Sequence, residues 1–261
     1  MRDVVAIARS LGKTVPDDRK PRMNWFGILA VLAFAGLWQL ASFFVPAFVI
    51  PGWELILKAF VALRFEFVWV TLGRLMVSLC ASFVLGFALA AAMSQSKAIE
   101  QLVTPFIRML MSVPAICWVV FAILWFKGVE LRIFFVMVVV AMPVFLVDSF
   151  DAMKGVSRDL DQMVRSFQPT WIERFAKLIV PSILPTILTS WKINLSQCIR
   201  VILTAELVGA TSGIGYGLVL AQETFSVAVL FAWTLTLVIA LNVLQGAIDF
   251  LESRFLAYRG E

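Results

Sequence analysis

The chain has 261 residues, of which 61% are hydrophobic and 15% are charged. Soluble domains average about 45–50% apolar and about 25% charged residues, so the composition excludes an ordinary soluble domain and indicates an integral membrane protein. The formal net charge of +5 is not gathered on a basic face, which argues against a nucleic-acid partner, and the absence of histidine disfavours metal-dependent and histidine-based chemistry.

The chain begins with a polar, basic segment, residues 1–24. A cleaved signal peptide normally places its apolar region close behind a short charged start, so this segment is predicted to be a tail. Six apolar runs follow, each near the roughly 20 residues that cross a hydrocarbon core as a helix. They are predicted to span the membrane: Trp25–Val45, Val70–Met93, Leu102–Phe126, Ile133–Phe150, Thr186–Val208 and Val227–Ala247.

Lysine and arginine are distributed unevenly between the two sides of these spans. The side that holds both termini carries fourteen of them, and the other side carries only Lys58, Arg64, Lys127 and Arg132. By the positive-inside rule the first side, with both termini, is predicted to be cytoplasmic.

Two segments on the far side are distinctive. Pro51–Phe67, "PGWELILKAFVALRFEF", has helical apolar spacing and is predicted to form an interfacial helix. Val208–Gln222, "VGATSGIGYGLVLAQ", is rich in glycine and is predicted to be a re-entrant or tightly turned loop. The cysteines Cys80, Cys117 and Cys198 lie in apolar runs and are interpreted as buried small hydrophobic residues.

The cytoplasmic insert before the fifth span has its own pattern. Apolar residues at i, i+3, i+4 and i+7 predict a short amphipathic helix with one stripe: Leu160, Met163, Val164 and Phe167. Pro169 interrupts it, and Thr170 with Glu173 forms a capping-box pattern for a second helix. That second helix is expected to end near Pro181, before Pro185 opens the fifth span.

The stripe needs a partner surface, because helices shorter than about 12–15 residues are marginal in water. It could pack against the chain's own helices or against lipid headgroups. It could equally be presented to a cytoplasmic partner. The periodicity alone does not decide between these alternatives.

The segment "LDQMVRSFQPTWIERFAKLIVPSILP" (Leu160–Pro185) resembles, without gaps, the cytoplasmic EAA loop of ABC importer permeases, in particular the sulfonate, taurine and nitrate subgroup. Leu178, Val180 and Pro181 stand where that pattern has I-x-L-P, whereas Gln168 replaces its glycine. The E-A-A places are also changed, to Gln162, Met163 and Val164.

Three further stretches carry the same resemblance in order. They are similar to the second span, with Arg74 and Gly86, to the third span, with Arg108 and Pro114, and to the exit of the fifth span: Thr71–Ser96, Pro105–Gly128 and Thr204–Leu218.

The resemblance implies an all-α integral membrane protein with six transmembrane helices, the type I ABC importer permease fold, and a cytoplasmic coupling helix between spans four and five. It implies a permease domain over residues 25–250, with the coupling-helix loop at about 155–185, and a cytoplasmic tail over 251–261. ATPase coupling then falls on these residues: Leu160, Met163, Val164, Arg165, Phe167, Gln168, Pro169 and Pro181.

The implied partners are two cytoplasmic ABC ATPase subunits, a second permease copy in a homodimer, a periplasmic solute-binding protein and membrane lipid. The implied location is the bacterial inner membrane. The chain itself is expected to be no enzyme and to hold no cofactor, since ATP would be bound by the partner subunit. The implied solute is a small anion such as a sulfonate, nitrate or an aromatic acid, although members of the subgroup also carry neutral vitamins or their precursors.

Polar residues within the predicted spans are further candidates, because charges in a bilayer are costly and usually functional. Arg74, Arg108 and Lys192 lie near span ends, where long side chains reach the headgroups. The fifth span is the most polar, and its residues either line a translocation path or form hydrogen bonds at a dimer contact: Asn194, Gln197, Arg200, Thr204 and Glu206.

The sequence disfavours two other function classes. A self-contained secondary transporter or channel is disfavoured, because no internal repeat and no pair of intramembrane acids is evident. A membrane-embedded enzyme is disfavoured by the lack of a nucleophile–base pair.

Overall fold

A computed structural model describes residues 25–255. Both predicted tails fall wholly or partly outside this range, at residues 1–24 and 256–261. Seven side chains inside helices are also outside the described set: Phe26, Ile28, Val31, Arg158, Arg165, Trp171 and Phe255. The described residues form two compact units, which divide between Gly52 and Trp53.

The first unit contains helix α1, Trp25–Phe44, which matches the first predicted apolar run within one residue. Its large side chains are exposed on several faces, among them Leu29, Phe34 and Phe44. The indole of Trp38 donates a hydrogen bond to the carbonyl of Pro51 over 3.0 Å, which holds the turn after the helix against α1.

The described residues of the second unit form helices joined by short turns, with no strand among them. Its elements are α2 (Trp53–Val61), α3 (Glu66–Gln95), α4 (Lys97–Ser112), α5 (Ala115–Trp125), α6 (Val129–Lys154), α7 (Arg158–Arg165), α8 (Trp171–Arg174), a π-helical turn (Phe175–Ile179), α9 (Val180–Leu207), α10 (Ile214–Glu223) and α11 (Val227–Phe255).

The core of this unit lies where α6 packs against α3 on one side and α9 on the other. Gly86 of α3 permits the close approach, since a Cβ there would lie only 2.7 Å from the carbonyl oxygen of Met142. The central cluster joins these helices through fully buried side chains: Leu75, Leu79, Met137, Phe145, Leu195 and Ile202. Because lipid tails are as apolar as these side chains, close van der Waals packing between the helices favours this arrangement.

Within the described residues, four helices are long and apolar enough to cross a membrane, and a bent pair forms a fifth candidate. The four are α3, α6, α11 and the helix that runs from Ile172 to Leu207. The total of six spans is therefore still a prediction.

The third span predicted over Leu102–Phe126 is not one continuous helix, because α4 and α5 meet at an angle of 95°. Val113 is extended, with ψ at 125°, and Pro114 follows it. A proline disfavours the helical conformation of the residue before it, so the helix breaks at this point.

Of the two segments predicted on the far side, one agrees with the structure and the other agrees in part. The interfacial segment does form a helix, α2, whose Ile56 is buried. The loop predicted over Val208–Gln222 is wrong in its second half, because Ile214–Glu223 is the helix α10. Only the residues before it form a turn, in which Gly209 and Gly213 adopt positive φ angles of 90° and 105°.

The predicted break near Pro181 is also wrong. The chain continues from α8 through the π-helical turn into α9, and the amide of Val180 donates to the carbonyl of Phe175. A π-helical turn widens the helix locally and accommodates residues that the regular hydrogen-bond pattern would exclude. Pro181 is the second residue of α9, directly after the π-helical turn, so its missing N–H falls where the hydrogen-bond pattern changes.

The cysteines do not share one environment. Cys198 is buried in the core as predicted, whereas Cys117 is half-buried and Cys80 is exposed.

Candidate functional site

Helix α7 presents its apolar stripe to the outside of the chain. Leu160, Met163 and Phe167 are 47%, 59% and 79% exposed, and these three residues are called the α7 ridge below. Val164, the fourth predicted member, is half-buried, and the side chain of Arg165 lies outside the described set. The ridge is therefore not buried against the chain's own helices.

The α7 ridge stands on a well-connected loop. Arg174 of α8 donates through Nε to Oδ1 of Asp161 over 2.5 Å, which fixes the two helices to each other. Phe167 follows the end of α7, where its amide donates to the carbonyl of Val164 over 3.1 Å.

Gln168 occupies the position where the EAA pattern has glycine, and it keeps the turn. Its φ is +51°, a left-handed conformation that a residue with a Cβ adopts at a cost of about 1–2 kcal/mol. Pro169, next in the chain, is half-buried.

The predicted capping box at the start of α8 is confirmed. The amide of Thr170 donates to Oε2 of Glu173 over 2.9 Å, and the amide of Glu173 donates to Oγ1 of Thr170 over 3.3 Å. This reciprocal pair defines where the second helix of the insert begins.

A second polar cluster lies at the far-side end of the helices. Its members are Thr71 and Arg74 of α3, Glu130 of α6, Glu206 of α9 and Ser212 of the following turn, and it is called the Arg74 network below. Arg74 is at its centre, with a side chain that is 8% exposed beside a Glu206 side chain that is 0% exposed.

All five N–H donors of Arg74 are used. Nε and Nη2 donate to the two carboxylate oxygens of Glu130 over 2.8 and 2.5 Å. Nη1 donates to Oε1 of Glu206 and to the carbonyl of Ser212, both over 2.8 Å. Nη2 also donates to the hydroxyl of Ser212 over 2.9 Å. Arg74 is therefore paired within the protein and does not reach out to headgroups, which corrects the prediction.

The Glu206 carboxylate has further donors. The hydroxyl of Thr71 lies 3.0 and 2.9 Å from its two oxygens, and the amide of Gly215 donates to Oε2 over 2.9 Å. The same threonine hydroxyl accepts from the amide of Ile214 over 2.8 Å. These bonds satisfy a buried charge, and they tie α3, α6, α9 and α10 to one another.

Glycine is required where α10 starts. A Cβ on Gly213 would lie 2.3 Å from Oε1 of Glu206, and a Cβ on Gly215 would lie 2.4 Å from Cβ of Glu206. The glycine-rich sequence is thus explained by close approach to Glu206 within and just before a helix.

The five polar residues of the fifth span do not share one face. Asn194 and Glu206 are fully buried within the chain. Gln197 and Arg200 are exposed, and Thr204 is half-buried with its hydroxyl donating to the carbonyl of Arg200 over 3.0 Å. Only the latter three lie on a face of α9 that is open in the single chain, so an expectation that all five line one path does not hold.

Asn194 has a separate environment deeper in the bundle. Its Nδ2 donates to the carbonyl of Ser190 over 3.1 Å, while Oδ1 is buried without a hydrogen-bond partner among the described residues. The hydroxyl of Ser190 in turn donates to Asp148 of α6 over 2.5 Å.

The other two basic residues of the spans differ from each other. Lys192 pairs with Asp249 and Glu252 of α11, so it links two helices and does not extend to headgroups as predicted. Arg108 is exposed on α4.

Sequence reasoning identified Arg74 and Glu206 separately but missed their pairing and the roles of Thr71, Glu130 and Ser212. A usable signal was the depth of the two charges, since Arg74 lies near the far-side start of the second span and Glu206 near the far-side end of the fifth. Opposite charges at equal depth in a bilayer are expected to pair.

Comparisons with known proteins agree with each other. Residues 82–256 match the family of binding-protein-dependent transport system inner membrane components. A putative aliphatic sulfonates transport permease protein of Bacillus subtilis is 27% identical over 97% of this chain and 96% of its own length. The taurine transport system permease protein of Escherichia coli is 27% identical over 73% of this chain and 70% of its own length.

A solved structure has the same fold. The inward-facing MetNI methionine ABC transporter aligns with a TM-score of 0.62 and 19% sequence identity, over 77% of this chain and 98% of the chain compared.

Proposed function

The chain belongs to the family of binding-protein-dependent transport system inner membrane components, and we propose that its α7 ridge is the surface that an ATPase subunit binds. The chain has the type I ABC importer permease fold and is a transport subunit, not an enzyme. ATP hydrolysis in these systems is carried by a separate subunit. Membership of this family therefore excludes the two alternatives, a self-contained carrier or channel and a membrane enzyme.

The exposure of the α7 ridge is the observation that carries this proposal. Two large apolar side chains, Leu160 and Met163, project from a helix of eight residues, Arg158–Arg165, and Phe167 projects from the turn two residues after it. Ile172 of α8 is also exposed, at 71%. Exposed apolar groups held on a defined helix fit a groove on another protein, in which they become buried.

The connections of the loop would transmit movement of that partner. Asp161 of α7 is bonded to Arg174 of α8, and the helical path is unbroken from α8 through the π-helical turn into α9. A displacement of α7 by the ATPase, the subunit that would bind ATP, is therefore passed to α9. Rigid-body rocking of packed helices is the motion that alternating access requires.

A matched pair of variants tests the coupling surface. Phe167→Asp places a charge on the α7 ridge, and we expect it to weaken co-purification of the ATPase subunits by about 30-fold or more, because burying an unpaired charge at an interface centre costs at least about 2 kcal/mol. Gln162→Asp adds the same charge on the opposite face of α7 and should leave co-purification unchanged. Equal loss in both variants, or in neither, would show that the α7 ridge is not the contact.

The proposed solute is a small organic anion of the sulfonate type. Two relatives of high coverage are named for aliphatic sulfonates and taurine. The open face of α9 carries Arg200 beside Gln197, and an arginine within a membrane span is costly unless it serves a path or a partner. Arg200 offers a sulfonate both charge and paired N–H donors.

Transport assays separate these roles. Arg200→Gln should reduce ATP-driven uptake of ethanesulfonate in the assembled transporter, whereas Arg200→Lys should keep a larger part of it. Unchanged uptake by Arg200→Gln, with normal assembly, would remove Arg200 from the path.

A homodimer is also proposed, with both termini in the cytoplasm. The support is that the polar open face of α9 must be covered in lipid by a second copy or by a water-filled path between copies. Disulfide crosslinking of a Gln197→Cys variant to itself, in a background without the native cysteines, tests the dimer; absence of self-crosslinking in the assembled transporter would contradict it.

A further inference from the structure

Basic residues at the far side of the second unit differ in their pairing. Three are neutralised by carboxylates: Lys58 pairs with Glu54, Arg64 with Glu66, and Arg74 with Glu130 and Glu206. Among the described residues, the other two have no carboxylate at ion-pair distance. These are Lys127 and Arg132, which flank the turn from α5 to α6.

Arg132 is a partly buried cation that no carboxylate neutralises among the described residues. Its Nε is buried and has no hydrogen-bond partner among the described residues. Its side chain borders a small cavity with Ala205 and Val208 at the end of α9. Its Nη1 would lie 3.4 Å from a Cβ built on Gly209, so no side chain of that residue covers this guanidinium nitrogen.

The carboxylate nearest in sequence does not neutralise Arg132. Glu130 lies two residues away on α6, a spacing that places the two side chains on different faces of the helix, and both of its oxygens accept from Arg74. The turn therefore keeps the positive charge of Lys127 and Arg132. The N-terminus of α6 adds to that charge, because the helix dipole favours an anion there.

We propose that Arg132, assisted by Lys127, makes the first contact of this subunit with the anionic group of the solute at the far-side mouth of the path. The inference rests on the proposed sulfonate-type substrate. Arg132 adjoins Val208 at the end of α9, and Arg200 lies eight positions earlier on that helix, which corresponds to about 12 Å of helical rise. An anion released at the mouth would thus pass from Arg132 toward Arg200 along the same helix.

The test uses the complete transporter, with ATPase subunits and binding protein, in liposomes and with ethanesulfonate as the probe. Arg132→Gln should lower the maximal uptake rate by about tenfold or more, as for loss of a charge-assisted hydrogen bond, without changing the binding-protein concentration at half-maximal rate. Arg132→Lys should retain most of the rate. Arg64→Gln, which removes a far-side arginine paired with Glu66, should have no effect.

Four outcomes would overturn the proposal. An unchanged maximal rate in Arg132→Gln, with uptake in the wild type, overturns it alone. Recovery of the lost rate at saturating binding protein would mean that Arg132 contacts a carboxylate of that protein. A loss that appears only in liposomes of anionic lipid would mean that it contacts headgroup phosphate. No uptake of ethanesulfonate by the wild type would overturn both the substrate class and the inference built on it.

Discussion

The α7 ridge exposes apolar side chains on the surface of the chain, whereas the Arg74 network buries two charged side chains among packed helices. In the α7 ridge, Leu160, Met163 and Phe167 lack contacts that would bury them within the chain. In the Arg74 network, every donor of Arg74 has an acceptor from the same chain. The chain itself therefore completes the Arg74 network, whereas the α7 ridge is the surface that we propose a partner covers.

This comparison also separates two kinds of sensitivity. Substitutions on the α7 ridge are expected to affect assembly more than folding, because side chains that are 47–79% exposed lose little internal packing. Substitutions in the Arg74 network are expected to affect folding first, since each leaves a buried group without its partner. The stability of the isolated subunit measures that contrast.

The largest effect is expected for Glu206→Ala, which leaves Arg74 buried with part of its charge uncompensated. Removing one partner of a buried ion pair costs about 3–5 kcal/mol of unfolding free energy. We expect a loss of that size in the unfolding free energy, measured by unfolding the subunit with SDS in mixed micelles.

The control for that loss is Glu66→Ala, in the same α3 region but on the surface. Glu66 pairs with Arg64 over 3.0 Å with both side chains largely exposed, and exposed pairs contribute at most about 1 kcal/mol. The double variant Arg74→Met with Glu206→Leu should recover part of the stability, because it removes both charges. Equal losses for Glu206→Ala and Glu66→Ala would mean that burial does not distinguish the two pairs.

A smaller effect is expected for Gly215→Ala. The added Cβ would lie 2.4 Å from Cβ of Glu206 and 3.0 Å from the carbonyl oxygen of Leu203, so α10 must shift and the Glu206 bonds must lengthen. Overpacking of this kind typically costs about 1–3 kcal/mol, measured by the same unfolding assay.

Gly246→Ala is the matched control for Gly215→Ala. Gly246 also lies within a helix, α11, and a Cβ there would meet nothing within 4 Å. Because alanine has the higher helix propensity, this variant should be neutral or more stable by up to about 1 kcal/mol. A loss in Gly246→Ala as large as that in Gly215→Ala would contradict the steric explanation.

Features that depend on nearby residues were predictable from the sequence. The α7 stripe follows from residues up to seven positions apart, and the capping box of Thr170 and Glu173 from residues three positions apart. The extent of α1 followed from an uninterrupted apolar run. The family resemblance supplied the fold and the type of partner, which periodicity alone left open.

Features that depend on distant residues were not predictable in this way. Arg74 and Glu206 are 132 positions apart, so no local pattern reports their pairing. The 95° bend at Pro114 was missed because a proline in an apolar run is compatible with either a kink or a full break. The continuous helix through Pro181 was missed for the opposite reason, since the π-helical turn before it accommodates the proline.

The conformation of Gln168 depends both on its own residue type and on contacts elsewhere in the loop. Its sequence position lacks the glycine of the EAA pattern, yet the backbone keeps a positive φ of 51°. The surrounding loop therefore imposes a conformation that the residue type disfavours, with Asp161 and Arg174 holding α7 to α8 across the turn. Hydrogen bonds within the loop, such as that between Arg174 and Asp161, offset part of the cost of that conformation.

The smallest effect is therefore expected for Gln168→Gly, which removes the strain at about 1–2 kcal/mol and adds the chain entropy of glycine at about 0.5–1 kcal/mol. We expect a net gain of about 0.5–1 kcal/mol, seen as slower hydrogen exchange of the amides from Ser166 to Arg174. Gln162→Gly makes the same chemical change inside α7, where φ is right-handed, and should speed exchange because glycine costs about 1 kcal/mol in a helix. Changes of the same sign in both variants would show that the conformation of Gln168 is not strained, and the α7 ridge would then rest on a turn that needs no support from the Asp161–Arg174 pair.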